Sequence, residues 1–368
     1  MIIKRFSAKD FRNIESCDIE FSEGVNLLCG KNAQGKTNAI EGIYIFSRGK
    51  SFRGKDDSEL IRFGKEGFRI YIEYEEKNSK ESLEYALYGK ERVRKKNGYK
   101  IKKITEMIGS FKSVLFYPDD LRLVKGGPEE RRSFLNVAIS QAEPSYIKIY
   151  SDYKKALENR SCLLKLINKG FYQSIDEIDA WSESMAEYAS HIYMMRERYI
   201  ERLSHYAKDI MIDMSDGKEE LSVFHECSIG SGISDRALVR EAYIKILSEN
   251  KDREIAAGVT LFGPHRDDIM IKINGKDSRL FASQGQQRSA VFSLKLAEGE
   301  VIKEIFGEYP VYLFDDVLSE LDGERKKYVL SGAKEKQFII SSCEPIDFLE
   351  FDARKIDVSG GKYVFTHR

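Results

Sequence analysis

The spacing of hydrophobic positions divides this chain of 368 residues into three sections. Up to about residue 115, apolar and polar residues alternate with a period of two, which predicts strands with one buried face. The alternation is clearest in Ile2–Phe11, Cys17–Phe21, Phe68–Tyr74, Leu83–Leu87 and Arg92–Ile104. Within the last segment, Asn97-Gly98 predicts a tight turn between two strands. The first section therefore predicts a mixed sheet.

From about residue 119 to residue 250, apolar side chains recur at intervals of three and four, which predicts helices. One helix would bury Tyr146, Tyr150, Tyr153, Leu157, Leu164 and Ile167, and the next Trp181, Met185, Tyr188, Ile192, Met195, Tyr199, Leu203, Tyr206 and Ile210. The second set is close to a heptad seam, and residues 168–180 would connect the helices. We predict an antiparallel hairpin with arms of about 25 residues, or roughly 40 Å. Its aromatic side chains are interpreted as core rather than as a cofactor site.

From about residue 255 the pattern returns to strands and short helices. Residues 269–273 precede an Asn274-Gly275 turn, and apolar runs at 311–314 and 337–341 predict buried strands. The sequence therefore predicts an α/β fold in which one sheet is built from both ends of the chain, with a helical insertion between them. The predicted parts are 1–118, 119–253 and 254–368.

The most specific chemical motif is the run Gly30-Lys31-Asn32-Ala33-Gln34-Gly35-Lys36-Thr37. It fits the P-loop pattern G-x-x-x-x-G-K-[ST], and it lies between a predicted buried strand, Val25–Cys29, and a predicted helix that continues from Asn38. Backbone N–H groups in such a loop and at the helix N-terminus face a polyphosphate, so residues Gly30 to Asn38 are the predicted nucleotide-binding residues. Lys36 is then expected to contact the β- and γ-phosphates of ATP, and the Thr37 hydroxyl to bind Mg²⁺. The alternative, a glycine-rich turn that caps a helix, leaves the Lys-Thr pair unexplained.

The apolar run 311–314 ends in Asp315 and Asp316, which is the form of a Walker B strand. A buried parallel strand presents the residues at its carboxyl end to a ligand. Asp315 is expected to bind Mg²⁺, and Asp316 to orient or deprotonate the attacking water. The alternative is a strand followed by a helix whose N-terminus favours acidic residues. The P-loop upstream favours the Walker B interpretation.

A third motif, Ala282-Ser283-Gln284-Gly285-Gln286, opens an apolar helix some 30 residues before the Walker B strand. It is similar to the ABC-ATPase signature L-S-G-G-Q, with Gln284 in place of the first glycine. The serine hydroxyl and the N–H groups at the helix N-terminus could bind an anion. Alternatively, Ser283 and Gln286 form an ordinary capping box. The order of the three motifs favours the ATPase interpretation, and Ser319-Glu320-Leu321-Asp322 fits the D-loop of the same enzymes.

Composition limits the classes of function. The chain has 60 Lys plus Arg and 60 Asp plus Glu, so its formal net charge is zero and a nucleic-acid site would have to be a local basic patch. Its five cysteines show no C-x-x-C spacing, which argues against a zinc site and a disulfide framework and for a reducing compartment. The N-terminus does not resemble a signal peptide, and no apolar run approaches the length of a membrane span. We expect a cytoplasmic protein with no membrane partner.

Together these motifs resemble the RecF family of bacterial recombinational-repair ATPases, relatives of the SMC and Rad50 heads. The resemblance extends over essentially the whole length of the chain. It is carried by Lys9–Asn13, Gly30–Thr37, Ser51–Arg53, Phe116–Leu121, Gly127-Pro128 with Arg131-Arg132, Gly263–Asp268, the signature and Asp315–Asp322. The resemblance implies an ABC-type ATPase head with a short helical arm and two ATP molecules held between two protomers. It further implies an ATP-dependent homodimer that clamps double-stranded DNA near single-strand/double-strand junctions, and slow, DNA-stimulated hydrolysis. RecR and RecO would be the partners in bringing RecA to single-strand gaps.

The site residues of the family are expected at the matching positions. Ser283 would contact the γ-phosphate of the partner protomer's ATP, with Gln286 beside it in the signature, and Asp322 would lie at the dimer interface. Arg12 and Asn13 lie where related heads contact nucleotide, although a pair of residues at a hairpin end is the alternative.

Two positions depart from the pattern of transporter-type ABC ATPases. Asp316 stands where those enzymes have Glu, and its shorter side chain leaves the identity of the general base open. Ser341-Ser342-Cys343 stands where they have a switch histidine, and Ser342 is the predicted γ-phosphate sensor. The segment Gly263–Asp268 matches the RecF family without an assigned role, and His265 within it is predicted to be structural.

Candidate DNA contacts are two basic clusters near predicted turns. The first is Lys50, Arg53 and Lys55, and the second is the run from Arg92 to Lys103, of which Arg94, Lys96 and Lys100 are the assigned residues. A solvated hairpin end is the alternative for both. For the whole chain, the alternative to a repair ATPase is an SMC/Rad50-like structural DNA clamp, which the short predicted arm disfavours. A small-molecule kinase or transporter ATPase is a third hypothesis, and it would lack the signature and D-loop or need a membrane partner.

Overall fold

A computed structural model describes residues 1–54, 56–171, 176–318, 321, 323–343 and 353–365. Its strands are β1 (Ile2–Phe11), β2 (Ile14–Glu20), β3 (Val25–Cys29), β4 (Gly67–Glu76), β5 (Ser79–Tyr88), β6 (Glu91–Lys96), β7 (Tyr99–Lys100), β8 (Ser113–Phe116), β9 (Leu221–Glu226), β10 (Asp268–Ile273), β11 (Lys276–Asp277), β12 (Val311–Asp315), β13 (Phe338–Ser342), β14 (Ala353–Ser359) and β15 (Lys362–Phe365). Its α-helices are α1 (Lys36–Arg48), α2 (Ile104–Ile108), α3 (Arg122–Lys125), α4 (Pro128–Ala142), α5 (Ser145–Asn168), α6 (Asp176–Met214), α7 (Arg236–Glu249), α8 (Lys251–Ala257), α9 (Ser278–Phe281), α10 (Gln284–Phe306) and α11 (Gly323–Ser331). The chain forms two compact units: Met1–Leu121 with Asp213–Asp216 and Val291–Arg368, and Arg122–Ile212 with Gly217–Ala290.

The described part of the first unit contains two sheets. One is antiparallel, with the strand order β2-β1-β4-β5-β6-β7, and it confirms the period-two pattern of the first section. The other has the order β15-β14-β3-β13-β12-β8 and is parallel except for β15. Strands β3 and β12 are buried along their whole length, as their continuous apolar sequences predict. Because β3 and β8 precede the helical section and the other strands follow it, this sheet is built from both ends of the chain, as predicted.

The predicted end of the last strand in the first section is wrong. The predicted Asn97-Gly98 turn joins β6 to β7, and both of its residues have positive φ, 50° and 81°. The alternation predicts a strand up to Ile104, whereas β7 ends at Lys100 and the segment Ile104–Ile108 is helix α2. The backbone N–H of Lys103 donates to Glu106 Oε1 at 3.0 Å, a bond that is typical of a helix N-terminus. Local capping therefore outweighs the alternating pattern here.

Helices α5 and α6 are antiparallel in the second unit, as predicted. Arg160 Nε donates to Ser182 Oγ at 2.8 Å, and Arg196 Nε donates to Tyr146 OH at 3.3 Å. Residue numbers thus rise along one helix as they fall along the other. Helix α6 has 39 residues, which at 1.5 Å per residue gives about 58 Å, so it is longer than the predicted arm. It begins at Asp176, inside the predicted connector.

The buried face of α6 matches the predicted stripe only in part. Trp181, Tyr188 and Tyr206 are half-buried. The buried positions also include Ser182, Ala186, Ala189, Ser190, Tyr193, Arg196 and Ala207. Apart from Tyr193, these are small or charged residues, which contribute little to a hydrophobic periodicity, so the sequence pattern could not identify them as core.

The segment 263–268, to which the sequence assigns no role, is a structural junction of the second unit. Arg196, which is fully buried on α6, donates to Asp267 Oδ2 at 3.1 Å. Tyr153 OH lies 2.6 Å from His265 Nδ1, and burial lowers the pKa of His265 to about 4. A neutral histidine hydrogen-bonded to a buried tyrosine is consistent with the predicted structural role.

The second unit also contains a small sheet with the order β11-β10-β9. The predicted Asn274-Gly275 turn follows β10, and both of its residues have positive φ, 49° and 76°. Because β10 belongs to the second unit and β12 to the first, the predicted part 254–368 contributes to both units. In the described portion of the chain, no helix combines the length and apolarity needed to cross a membrane.

Candidate active site

The P-loop joins the end of β3 to the start of α1, as predicted. Gly35, with a φ of 119°, precedes the first helical residue, Lys36. The Lys36 amine points into the loop: Nζ donates to the carbonyl oxygens of Gly30 and Lys31 at 2.5 and 2.9 Å, and it lies 3.3 Å from the sulfur of Cys343. Only 5% of Lys36 is exposed. An ammonium bonds more strongly to an ionised phosphate oxygen than to a neutral carbonyl, so a phosphate could replace these partners. The contact of Lys36 with phosphate stays a prediction.

The hairpin formed by β14 and β15 braces the P-loop. The N–H groups of Gly360 and Gly361 donate to the side chain and the carbonyl of Gln34, at 2.7 and 2.9 Å. The Tyr363 hydroxyl donates to the Gly35 carbonyl at 2.8 Å. These partners lie more than 300 residues further along the chain, and nothing in the spacing of the P-loop motif indicates them.

Asn13, a predicted nucleotide contact, lies against the same loop. Its Nδ2 donates to the Ala33 carbonyl at 3.2 Å, and its Oδ1 accepts from Asn38 Nδ2 at 2.6 Å. The structure thus brings three of the predicted binding residues together. A direct contact of Asn13 with nucleotide stays a prediction.

The predicted metal ligands are also adjacent. Thr37 Oγ1 donates to Asp315 Oδ1 at 2.8 Å, and Ser341 Oγ donates to the same oxygen at 2.8 Å. Burial raises the pKa of Asp315, and the two hydroxyl bonds oppose that rise. A hydroxyl and a carboxylate at the carboxyl end of a parallel strand are hard oxygen donors of the kind that Mg²⁺ uses beside bound phosphates. Ser341 is a partner that the sequence did not single out for this role.

Asp316 has a positive φ of 58°, which is uncommon for a residue other than glycine. Its N–H donates to Ser341 Oγ at 3.0 Å, which helps to hold this turn at the end of β12. Its side chain is exposed, as a group that orients a water requires. Ser342, the predicted sensor, is buried, and its carbonyl accepts from the Gly30 N–H at 3.3 Å. The sensor role of Ser342 stays a prediction. The side chain of the next residue, Cys343, contacts Lys36.

A buried carboxylate organises the arginines near α1. Glu41 is fully buried and accepts from Arg12 Nε and NH2 at 3.0 and 2.7 Å, from Arg53 NH2 at 2.7 Å and from Ser51 Oγ at 2.5 Å. Burial raises the pKa of Glu41, but these bonds outweigh it and the net pKa is lowered. Arg53 NH2 also donates to Asn38 Oδ1 at 2.5 Å. Arg53, a predicted DNA contact, therefore contacts residues of the P-loop helix and shares Glu41 with Arg12.

The signature serine and glutamine form the capping box that was the alternative interpretation of this motif. The Ser283 N–H donates to Gln286 Oε1 at 2.9 Å, and the Gln286 N–H donates to Ser283 Oγ at 3.2 Å. Ser283 is exposed at the start of α10. Capping leaves lone pairs on both oxygens, so a second contact in trans stays a prediction. Asp322 of the D-loop lies outside the described residues.

The basic cluster on β6 and β7 is largely paired. Lys96 Nζ donates to Ser110 Oγ at 3.0 Å and lies 3.7 Å from a Glu81 carboxylate oxygen. Lys100 Nζ lies 3.7 Å from Glu91 Oε1. The Arg94 guanidinium lies 5.3 Å from the centroid of the Tyr85 ring. These partners lower the local positive field that a count of basic residues suggests; Lys50 is exposed, and Lys55 lies outside the described residues.

Comparison with known proteins agrees with this geometry. The family model of the RecF/RecN/SMC N terminal domain matches residues 2–356. The DNA replication and repair protein RecF of Clostridioides difficile (strain 630) is 38% identical over 363 residues, which cover 97% of this chain and 96% of that protein. The protein of the same name from Thermoanaerobacter sp. (strain X514) is 40% identical over 342 residues, which cover 93% and 94%.

The chain belongs to the RecF family of DNA replication and repair proteins. Two solved structures, described as the recombination mediator protein RecF with ATPrS and with ATP in the RecFOR pathway, match at a TM-score of 0.92. They are 35% and 36% identical and cover 99% and 100% of this chain and 98% of each RecF chain. An Smc head domain from Pyrococcus furiosus matches at a TM-score of 0.57 and 17% identity, which shows a shared fold alone. The predicted fold class is confirmed, and this RecF-family chain is an ABC-type ATPase.

Proposed function

We propose that this chain binds ATP with Mg²⁺ at the P-loop and uses slow hydrolysis to reset a DNA-bound dimer in recombinational repair. The observation that supports this most directly is the convergence of Lys36, Thr37 and Asp315 at the carboxyl ends of β3 and β12. Phosphate ligands and metal ligands are needed within a few ångströms of each other for phosphoryl transfer. Relatives described with ATP and with ATPrS support the choice of nucleotide.

Each residue of this site has a distinct task. Lys36 exchanges its carbonyl partners for phosphate oxygens, and the loop N–H groups hold the remaining phosphate oxygens. Thr37 and Asp315 would hold Mg²⁺, which would neutralise charge that develops on the phosphate oxygens. Asp316 orients the attacking water from its exposed turn, and Ser341 fixes both aspartates through its hydroxyl. Glu41 holds Arg12 and Arg53 against α1, where Arg53 also reaches Asn38 in the first turn, so both arginines would lie near the bound phosphates.

The exposed signature supports dimerisation driven by ATP. Ser283 would contact the γ-phosphate bound by a second protomer, so the complete site exists only in the dimer. At saturation of about 100 times its Kd, each ATP that favours the dimer contributes roughly 2.7 kcal/mol. We therefore expect Asp316→Asn to bind ATP and accumulate as a dimer, because it retains the binding residues and lacks the carboxylate that orients the water.

Sedimentation velocity with ATP and Mg²⁺ tests this expectation. Ser283→Arg is the companion variant: it should bind ATP with unchanged affinity and remain a monomer, because bulk at this position obstructs the partner. Mixing Ser283→Arg with Lys36→Ala should recover hydrolysis above either variant alone, since one of the two composite sites is then intact. A strictly monomeric Asp316→Asn protein at saturating ATP would contradict the dimer model.

We propose duplex DNA near single-strand junctions as the substrate of the dimer, with RecO and RecR as partners. Support comes from family membership and from relatives described in the RecFOR pathway. If Arg94, Lys96 and Lys100 contact phosphates, neutralising all three should flatten the log–log salt dependence of binding by about 2–3 per protomer. Fluorescence anisotropy on a short duplex, with and without ATP, measures that slope. An unchanged slope would move the DNA surface away from β6 and β7.

A further inference from the structure

Cys343 contacts both the P-loop motif and the end of the Walker B strand. It follows the last residue of β13, and its Sγ–H donates to Asn32 Oδ1 at 2.6 Å. The sulfur also accepts from Lys36 Nζ at 3.3 Å and lies 3.6 Å from Asp316 Oδ2. One thiol thus touches the P-loop, the phosphate-binding amine and the carboxylate that would orient water.

The positions of these three partners indicate what lies beside the sulfur during the reaction. In the proposed mechanism the terminal phosphate lies between the Lys36 amine and the water held by Asp316. Cys343 approaches both groups, and its side chain is half-buried. Solved RecF structures 35% and 36% identical to this chain are described with ATPrS and ATP, which supports a nucleotide as the ligand of the proposed site.

We propose that Cys343 is a positioning residue of the nucleotide site, that it aligns Lys36 and Asp316 on the side of the terminal phosphate, and that bound ATP covers its sulfur. This inference rests on the proposed function and adds a residue to it. It places a thiol that can be alkylated inside the proposed ATPase site.

The remaining cysteines provide internal controls. Cys17 and Cys29 are buried, whereas Cys162 on α5 is exposed and Cys227 is half-buried. Cys162 and Cys227 belong to the second unit, and Cys343 belongs to the first. An effect of nucleotide on Cys343 alone therefore reports on the phosphate site, whereas an effect on Cys162 would report a general change in the protein or the reagent.

Alkylation of the full-length protein by N-ethylmaleimide tests whether ATP covers the sulfur. The thiol adds across the maleimide double bond, so that an S–C bond forms, the thiol proton moves to the neighbouring carbon and no group leaves. Labelling of each cysteine is followed by peptide mass spectrometry without nucleotide, with Mg²⁺ and ADP, and with Mg²⁺ and a non-hydrolysable ATP analogue. At 100 times the Kd about 1% of the sites are free, so the analogue should slow labelling of Cys343 by about tenfold or more and leave Cys162 unchanged.

Two substitutions test the positioning role. Cys343→Ala removes the hydrogen-bonding group and should lower kcat for ATP by about 2- to 10-fold, the range that one hydrogen bond accounts for. Cys343→Ser keeps a donor and acceptor and should restore most of kcat. ADP lacks the terminal phosphate, so its affinity should change by less than about twofold in both variants. A purely structural role would instead change ADP and ATP binding together and lower the melting temperature.

The outcomes separate this inference from the proposed function. If a fluorescent ATP analogue binds but Cys343 is labelled at the same rate with and without nucleotide, the inference is overturned and the proposed function stands. If alanine and serine variants both turn over ATP at the wild-type rate, the positioning role is overturned. If no nucleotide binds at all, the proposed function fails and the inference fails with it.

Discussion

Two buried charged groups, one in each unit, have different kinds of partner. In the second unit, Arg160 and Glu254 are both fully buried and bonded to each other at 2.6 Å, and the remaining Arg160 donors reach the hydroxyls of Ser182 and Thr260. In the first unit, the buried amine of Lys36 contacts the thiol of Cys343 and donates to two loop carbonyls, which a ligand can replace. The first arrangement is closed and stabilises a single packing. The second is suited to exchanging partners, and this difference separates a structural charge from a functional one.

Breaking the closed pair should have the largest effect. Arg160→Met leaves the Glu254 carboxylate buried without its cation, and we expect a loss of about 3–5 kcal/mol in the free energy of unfolding. Urea denaturation followed by circular dichroism measures it. Arg198→Met, at an exposed position of α6, is the matched control and should cost less than about 0.5 kcal/mol.

The double variant Arg160→Met with Glu254→Met sharpens this test. Removing both charges eliminates the orphaned carboxylate, and well-packed apolar replacements of buried ion pairs are often close to neutral. We expect at least half of the lost stability to return. A single variant as stable as the wild type would show that the pair is not a closed structural element.

Breaking the exchangeable arrangement should affect binding and leave stability intact. Lys36→Ala removes several charge-assisted bonds to phosphate, each contributing about 1.5–3 kcal/mol, so ATP affinity should fall by at least about 100-fold. Titration with a fluorescent ATP analogue measures the affinity, and calorimetry should show an unchanged melting temperature. Lys9→Ala, an exposed lysine on β1, is the matched control for charge. A large loss of stability in Lys36→Ala would place this lysine with the structural charges.

The smallest expected effect concerns pH and the second unit. Burial lowers the pKa of His225, but hydrogen bonds with Asp267 and Glu197 outweigh it, so its net pKa lies above the ordinary 6.5. Since the folded pKa is raised, the stabilisation is fully present below about pH 6.5 and is lost as the pH rises through the folded pKa. Unfolding by urea at pH 6 and pH 8 should therefore show a loss in the wild type that His225→Gln largely lacks. His205→Gln, at an exposed position, should retain the wild-type difference.

The features that sequence could predict are those whose physics is local. The P-loop, the Walker B strand and the capped start of α10 each require particular residue types within a few positions, so their elements follow from the motif. The apolar runs of β3 and β12 predict buried parallel strands because both faces of such a strand are covered. The three-and-four spacing predicts helices α5 and α6, and the short connector between them predicts that they are antiparallel.

The features that sequence missed depend on contacts between distant segments. Glu41 looks like an ordinary helical glutamate, and its burial between Arg12 and Arg53 appears only when three segments meet. The predicted apolar stripe of α6 leaves out Arg196, although its side chain is buried. Its burial could not be foreseen because its partner, Asp267, lies 71 residues away along the chain. Arg53 was assigned to DNA from its local basic neighbours, whereas its partners in the structure are Glu41 and Asn38.

The position of β3 within its sheet has a consequence for biosynthesis. In the described part of the chain its neighbours are β13 and β14, and the turn after β14 braces the P-loop. About 310 residues separate β3 from β13, and at ~5–20 residues per second a ribosome needs roughly 15–60 seconds to make them. During that time neither neighbouring strand of β3 has been synthesised. The apolar strand then depends on chaperones or on transient packing to avoid aggregation. A nascent chain released before β14 would contain the complete P-loop motif and still lack the hairpin that holds it.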